Sequence, residues 1–232
     1  MRPRRLHAVL IASAVTLAWP AGSTAQIVKR TNVRTPTVWA SAGIGLLDLQ
    51  TVTDGTSNSV WVFSRGTPQL RGGLEYGLRN ASSAGIIATF ARPALRYFVR
   101  DALVPQTADQ CNNCDARAEV ITVQGVFRAG GGGRSGFHQV LEIAAGVTHY
   151  RNFEARSTGR ALVPAGETDL SGAVGIGGGY SLSPRLQINL VQDFGLTLHQ
   201  GENLRGDESR TAQSRTLRVS VRYGAGSRSN AF

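Results

Sequence analysis

The stretch LSGAVGIGGGYSLSPRLQINLVQDFGLTLH, Leu170 to His199, decides the fold. Its alternate residues Leu170, Gly172, Val174, Ile176, Gly178, Tyr180 and Leu182 make one series, and Ser171, Ala173, Gly175, Gly177, Gly179 and Ser181 the other. After Ser183-Pro184-Arg185 the beat resumes as Leu186, Ile188, Leu190, Phe194, Leu196 and Leu198, opposite Gln187, Asn189, Val191, Asp193, Gly195, Thr197 and His199. Successive side chains of a strand point to opposite faces. The stretch therefore reads as two long strands joined by a tight turn, each oily on one face and small or polar on the other.

The same period-two alternation predicts eight strands, near 37–49, 68–79, 85–100, 118–129, 137–150, 169–182, 186–199 and 215–224. In the second, Leu70, Gly72, Leu74, Tyr76 and Leu78 oppose Gln69, Arg71, Gly73, Glu75 and Gly77; in the last, Leu217, Val219, Val221 and Tyr223 oppose Arg218, Ser220 and Arg222. Pro93 interrupts the third, because proline removes a ladder donor, and predicts a bulge or bend there. The connections alternate without exception. NASSA, GGGGRSG and SPR are short, and those between strands one and two, three and four, five and six, seven and eight are long. An up-and-down meander follows, with tight turns at one end and long loops at the other.

The first residues, MRPRRLHAVLIASAVTLAWPAGSTAQ, read as a cleaved signal peptide over 1–25: a head of Arg2, Arg4 and Arg5, an apolar core from Leu6 to Trp19, and small residues before Gln26. Beyond it no apolar run is long enough for a membrane-spanning helix, so any membrane role falls to strands. Removing the leader lowers the formal charge from +10 to +7, carried almost wholly by arginine, since Lys29 is the sole lysine. Export and the scatter of these charges argue against nucleic acid as a partner. The remaining boundaries are an N-terminal arm at 26–36, a single barrel domain at 37–224 and a tail at 225–232.

Alternation alone does not say which face looks outward, and a soluble lipocalin-like barrel would turn its oily face in. Three features favour oily-out. The opposite face is small, as the lumen of a narrow barrel requires. Tyr76, Phe127, Tyr180 and Tyr223 fall near one rim, as candidates for an aromatic girdle. Turns and loops segregate as in outer-membrane barrels. Signal peptide, eight amphipathic strands over Pro36 to Gly224, segregated loops and aromatic rim together resemble the small bacterial outer-membrane β-barrels of the OmpA/OmpX type, without a peptidoglycan-binding domain. The resemblance implies an all-β, eight-stranded antiparallel transmembrane barrel in the outer membrane, with periplasmic turns and extracellular loops. It also implies a monomer in contact with outer-membrane lipids including lipopolysaccharide and with the outer-membrane assembly machinery. In that family the last strand ends in an aromatic residue read during insertion. Tyr223 keeps the beat, and Phe232 is out of register with it.

On the polar face the reading places Arg71, Glu75, Arg92, Arg96, Arg128, Glu142, Asp193, Arg218 and Arg222 as a lumen charge network, since charges in a narrow lumen must pair. The excess of arginine leaves an anion-preferring pore as a rival. Cys111 and Cys114, in CNNC, are expected to form a disulfide in the second long loop, because paired cysteines in an exported chain usually bond. A redox CxxC lacks its thioredoxin-like setting, and a metal site there lacks further ligands nearby. His138, His149 and His199 fall on different strands or faces with no serine beside them. Ala129 to Gly133 lacks the ending of a phosphate loop. No catalytic, cofactor or metal residues are therefore expected. The functional expectation is a non-enzymatic surface protein, structural in the envelope or binding through its loops. The alternatives are a narrow solute channel, a lipid-modifying enzyme and a soluble periplasmic binding barrel.

Overall fold

The structure is a computed structural model that describes residues 36–55, 57–78, 82–99, 111, 113–130, 135–164, 166–199 and 211–226. The expected leader, most of the 26–36 arm and Phe232 lie outside the described residues.

The strands are β1 (Val38–Leu49), β2 (Val52–Asp54), β3 (Ser59–Phe63), β4 (Thr67–Gly77), β5 (Ser82–Ala91), β6 (Ala94–Val99), β7 (Asn113–Ala129), β8 (Gly136–Ala155), β9 (Gly166–Ser183), β10 (Leu186–Leu198) and β11 (Thr211–Ala225). Eight of them close a barrel. The antiparallel pairings run β1–β4, β4–β5, β5–β7, β7–β8, β8–β9, β9–β10 and β10–β11. β11 returns to β1, with Val38 opposite Ala225 and Leu49 opposite Ser214. Closure leaves no open edge in the barrel wall, which is what lipid demands of backbone donors and acceptors.

The faces are those the alternation predicts. Leu70, Leu74, Ile143, Leu170, Ile176, Leu190, Val219 and Val221 are exposed, whereas Glu75, Glu142, Arg218, Ser220 and Arg222 are buried. The oily face points out, so this is a transmembrane barrel and not a soluble one with an apolar cavity. On β9 the apolar belt runs from Leu170 to Leu182, and on β10 from Ile188 to Leu198. The structure sets Tyr76, Phe127, Tyr180 and Tyr223 outward at the turn end, where Tyr76 and Phe127 are both register partners of Ala84, and Tyr223 pairs with Ala40 and Leu186. Phe137 joins them, edge-on to Tyr180 at 4.9 Å between centroids.

Two strands are broken where local chemistry breaks them. β5 stops at Ala91 and resumes as β6 after Arg92-Pro93, and the Pro93 carbonyl accepts from Ala118 N instead of sitting in the ladder. β3 and β4 are likewise one strand interrupted at Ser64–Gly66. There Gly66 takes φ +68 and donates its amide to Asp48 Oδ1 at 2.6 Å, a conformation glycine adopts without a Cβ penalty.

The barrel wall also rises further than the alternation suggests. β7 begins at Asn113 and not near 118, β8 continues to Ala155, and β2–β3 form a hairpin within what reads as the first loop. In this raised collar the polarity inverts. Trp61, Phe63, Leu95, Tyr97, Ala116, Ala118, Val120, Tyr150 and Phe153 form a buried cluster inside, and charged residues face out. A bulge produces part of the switch. Asn152 takes φ +53 and the β7–β8 register shifts between Arg117 and Glu119, so inward positions pass from Thr148 and Tyr150 to Phe153 and Ala155.

An arginine at a mid-belt position must carry its charge into hydrocarbon. Leu190→Arg is expected to lower unfolding free energy in phospholipid vesicles by ~2–4 kcal/mol, read from denaturant titration.

Candidate functional site

Two polar constellations occupy the barrel interior. The lower one lies within the belt. Glu142 on β8 is its centre: Arg71 Nη2 donates to its Oε2 at 2.6 Å, Arg128 Nη2 lies 2.5 Å from its Oε1, and Arg218 Nη2 also binds Oε2. Arg218 Nε donates to Asp193 Oδ2 at 2.6 Å, and Arg71 lies 3.7 Å from the same carboxylate. Glu75 accepts from Arg222 at 2.8 Å and from Ser83 Oγ at 2.5 Å, with Arg128 at 3.6 Å. Arg222 also stacks over Trp39, 4.1 Å from the ring centroid. Four arginines thus meet three carboxylates across the lumen.

Glycines make the room for this. A Cβ at Gly175 would run into the Asp193 carboxylate and lie 3.1 Å from Val191 Cγ1. At Gly179 it would collide with Asn189 and lie 2.5 Å from His138 Nε2. His138 bridges Asn189 Oδ1 at 3.0 Å and Ser181 Oγ at 3.2 Å. This places a serine beside a histidine from the neighbouring strand, a contact that same-strand spacing misses, but both Ser181 and Asn189 are buried in the lumen.

Arg92 and Arg96 are corrections to the lumen set. Both are exposed on the outer wall of the collar, because they sit where the polarity has already inverted. Arg92 lies 3.9 Å from both Glu119 and Glu154. Arg117 donates to Glu154 at 2.9 Å, and Arg151 and Asn152 donate to Glu119 at 3.0 and 2.9 Å. Arg151 and Glu154 both belong to β8. Cys111 and Cys114 are disulfide-bonded with Cα atoms 5.9 Å apart, and Cys114 already belongs to β7. His149 faces outward near the loop-end rim and meets Thr168 Oγ1 at 2.7 Å.

The upper constellation was not legible in the sequence. Past the end of the belt, His199 follows β10, Glu167 and Asp169 come from the start of β9, and Asp54 ends β2. His199 Nδ1 meets Asp169 Oδ2 at 2.7 Å; its Nε2 lies 3.4 Å from Glu167 Oε2 and 3.6 Å from Asp54 Oδ1. His199 is 5 % exposed, Asp169 2 % and Asp54 0 %. The Asp54 carboxylate is oriented by Ser57, which donates its amide at 2.9 Å and its hydroxyl to Oδ2. Trp61 stands edge-on to the imidazole at 5.4 Å. Burial alone would lower the His199 pKa, but the hydrogen bond to Asp169 and the carboxylates of Asp54 and Glu167 outweigh it and raise it to about 9. Burial lifts the Glu167 carboxyl to about 7, with the pull of His199 opposing and the charges of Asp54 and Asp169 adding. Asp169 to His199 is opposite-face neighbour to the Leu170–Leu198 pair. The one sequence signal was that Asp169 immediately precedes the first outward leucine of β9 and His199 immediately follows the last of β10. Asp54 arrives only through the β2–β3 hairpin.

Between the two constellations lies a cavity of about 70 Å³, lined by Gln69, Arg71, Thr122, Gln124, Tyr150 and Thr216 among others, with space for a few waters.

No protein-family model matches the chain, and no curated protein sequence matches it. Among solved structures it is similar to neisserial surface protein A (NspA), at 11 % identity and TM-score 0.49 over 82 % of this chain and 97 % of that one. It is similar to Ail, the attachment invasion locus protein of Yersinia pestis, solved with the heparin analogue sucrose octasulfate, at 16 % identity and TM-score 0.38 over 80 % and 97 %. It is also similar to the outer membrane protease OmpT of Escherichia coli, at 7 % identity and TM-score 0.45 over 84 % and 99 %.

Removing one partner of a buried ion pair strands the other. Glu142→Gln is expected to destabilise the folded barrel by ~3–5 kcal/mol in denaturant titration. Glu154→Gln, in an exposed pair, is expected to cost below ~1 kcal/mol.

Proposed function

We propose that the protein is a closed, non-conducting barrel of the bacterial outer membrane that works at its loop end, as an envelope-structural or surface-binding protein and not as an enzyme. The observation that carries this reading is the double closure of the lumen. The charge network around Glu142 crosses it within the belt, and the Trp61–Tyr150–Phe153 cluster fills the collar above. An anion pore would need arginines facing water. Those of the belt instead face carboxylates, at 2.5–2.8 Å.

Outer-membrane placement is supported by the closed wall, the apolar belt and the aromatic ring at the turn end. The exposed arginines of the collar, Arg92, Arg117 and Arg151, stand just beyond the belt, at the height where lipopolysaccharide phosphates would lie. Insertion by the assembly machinery would read Tyr223, the outward aromatic at the end of β11. We take the barrel to act as a monomer. Of the histidines, His138 is half-buried and held by Asn189 and Ser181, His149 meets Thr168 on the outer wall, and His199 Nε2 has no hydroxyl hydrogen-bonded to it among the described residues.

The protein refolded in detergent should migrate differently boiled and unboiled, and should give no stepwise current in planar bilayers at neutral pH. Steady single-channel steps that change selectivity in Arg71→Gln would replace this reading with a channel. Altered lipid A or phospholipid chains on overproduction would replace it with a lipid-modifying enzyme.

A further inference from the structure

The collar holds one imidazole among three carboxylates, and their arrangement is not that of a set of hydrogen bonds. Only the Asp169 contact has ordinary hydrogen-bond length. At 3.4 and 3.6 Å, the approaches of Glu167 Oε2 and Asp54 Oδ1 to His199 Nε2 are too long. They are instead close to the edge of a tetrahedron around a zinc-class ion, which for bonds of 2.0–2.1 Å is about 3.4 Å. The three ligand atoms lie within 4.8 Å of one another. Independently of the acidic cluster, His199 Nε2 is a buried ring nitrogen with no hydrogen-bond partner, aimed into the space between the two carboxylates, and Glu167 Oε2 is likewise buried without one. A metal-ligating histidine characteristically gives its other ring nitrogen to a carboxylate, which fixes the ring and strengthens the ligand. Asp169 does this at 2.7 Å. Trp61 and Tyr150 wall the imidazole in, at 5.4 and 6.5 Å between ring centroids.

We propose that His199 Nε2, Glu167 and Asp54 form a divalent transition-metal site of the zinc class, with Asp169 as the positioning residue for His199. An imidazole with two carboxylates suits such an ion better than calcium or magnesium, which prefer all-oxygen shells. The three ligands come from the end of β2, the start of β9 and the segment after β10. The bound ion therefore clamps the β2–β3 hairpin, and with it Trp61, onto the barrel rim. The site is independent of whether the lumen conducts.

The test uses the protein folded in detergent micelles, stripped with chelator and titrated with Zn2+, and with Co2+ as the spectroscopic probe. One equivalent of Zn2+ should remain after desalting and raise the unfolding temperature in a concentration-dependent way. Co2+ should give a d–d spectrum and quench Trp61 fluorescence. Asp54→Asn and Glu167→Gln should each weaken binding at least tenfold, and Asp169→Asn by about 10–100-fold. Glu119→Gln, on the collar's outer wall, should leave it unchanged. A heat-dependent gel shift confirms that each variant is folded. Absence of stoichiometric Zn2+ in the parent protein, or equal affinity in folded Asp54→Asn and Glu167→Gln, would overturn the proposal. The cluster would then be an imidazolium held by carboxylates alone.

Discussion

In hydrocarbon no water is available to pair a backbone N–H or C=O, and everything else in this structure depends on that constraint. It is met by the return of β11 to β1, where the pairing runs unbroken from Val38–Ala225 to Leu49–Ser214. Once the sheet is closed, each strand has one face in lipid and one in a narrow lumen. The lipid face can be no more than a row of Leu, Ile, Val and aromatic residues. The lumen must be filled by whatever the other face supplies, and this chain supplies arginine, glutamate and glycine.

Charges so confined are tolerable only as partners. The arrangement around Glu142 shows how the sequence achieves it. Glu142 on β8 is met from across the lumen by Arg71 on β4 and Arg218 on β11, and from the adjacent strand by its register partner Arg128 on β7. Glycines such as Gly175 stand where a side chain would displace a member of the set. The same logic reverses once the wall rises out of lipid. Water solvates the outside of the collar, charged pairs such as Arg117–Glu154 move there, and aromatic residues take the inside. The protein is thus two short barrels of opposite polarity stacked on one set of strands. The polar cluster around His199 lies at their junction.

What the sequence by itself determined is the strand pattern and its sidedness. Period-two alternation is a local property, and Leu217, Val219, Val221 and Tyr223 face lipid for the same reason that Arg218, Ser220 and Arg222 do not. The break at Pro93 and the alternation of turns and loops were legible for equally local reasons, a missing donor and a run of glycine or Ser-Pro-Arg. Tertiary structure alone decided what happens where alternation stops being tied to lipid. Arg92 and Arg96 carry the same letters as Arg71 and Arg128, yet stand outside because the wall at their height is in water. Asp54, Glu167, Asp169 and His199 are scattered over 146 positions of the chain. They meet because the β2–β3 hairpin folds over a rim that β9 and β10 happen to share. Which face a residue takes is written in its neighbours. Which distant residue it meets across a closed barrel is set by register and closure, and no window of sequence contains either.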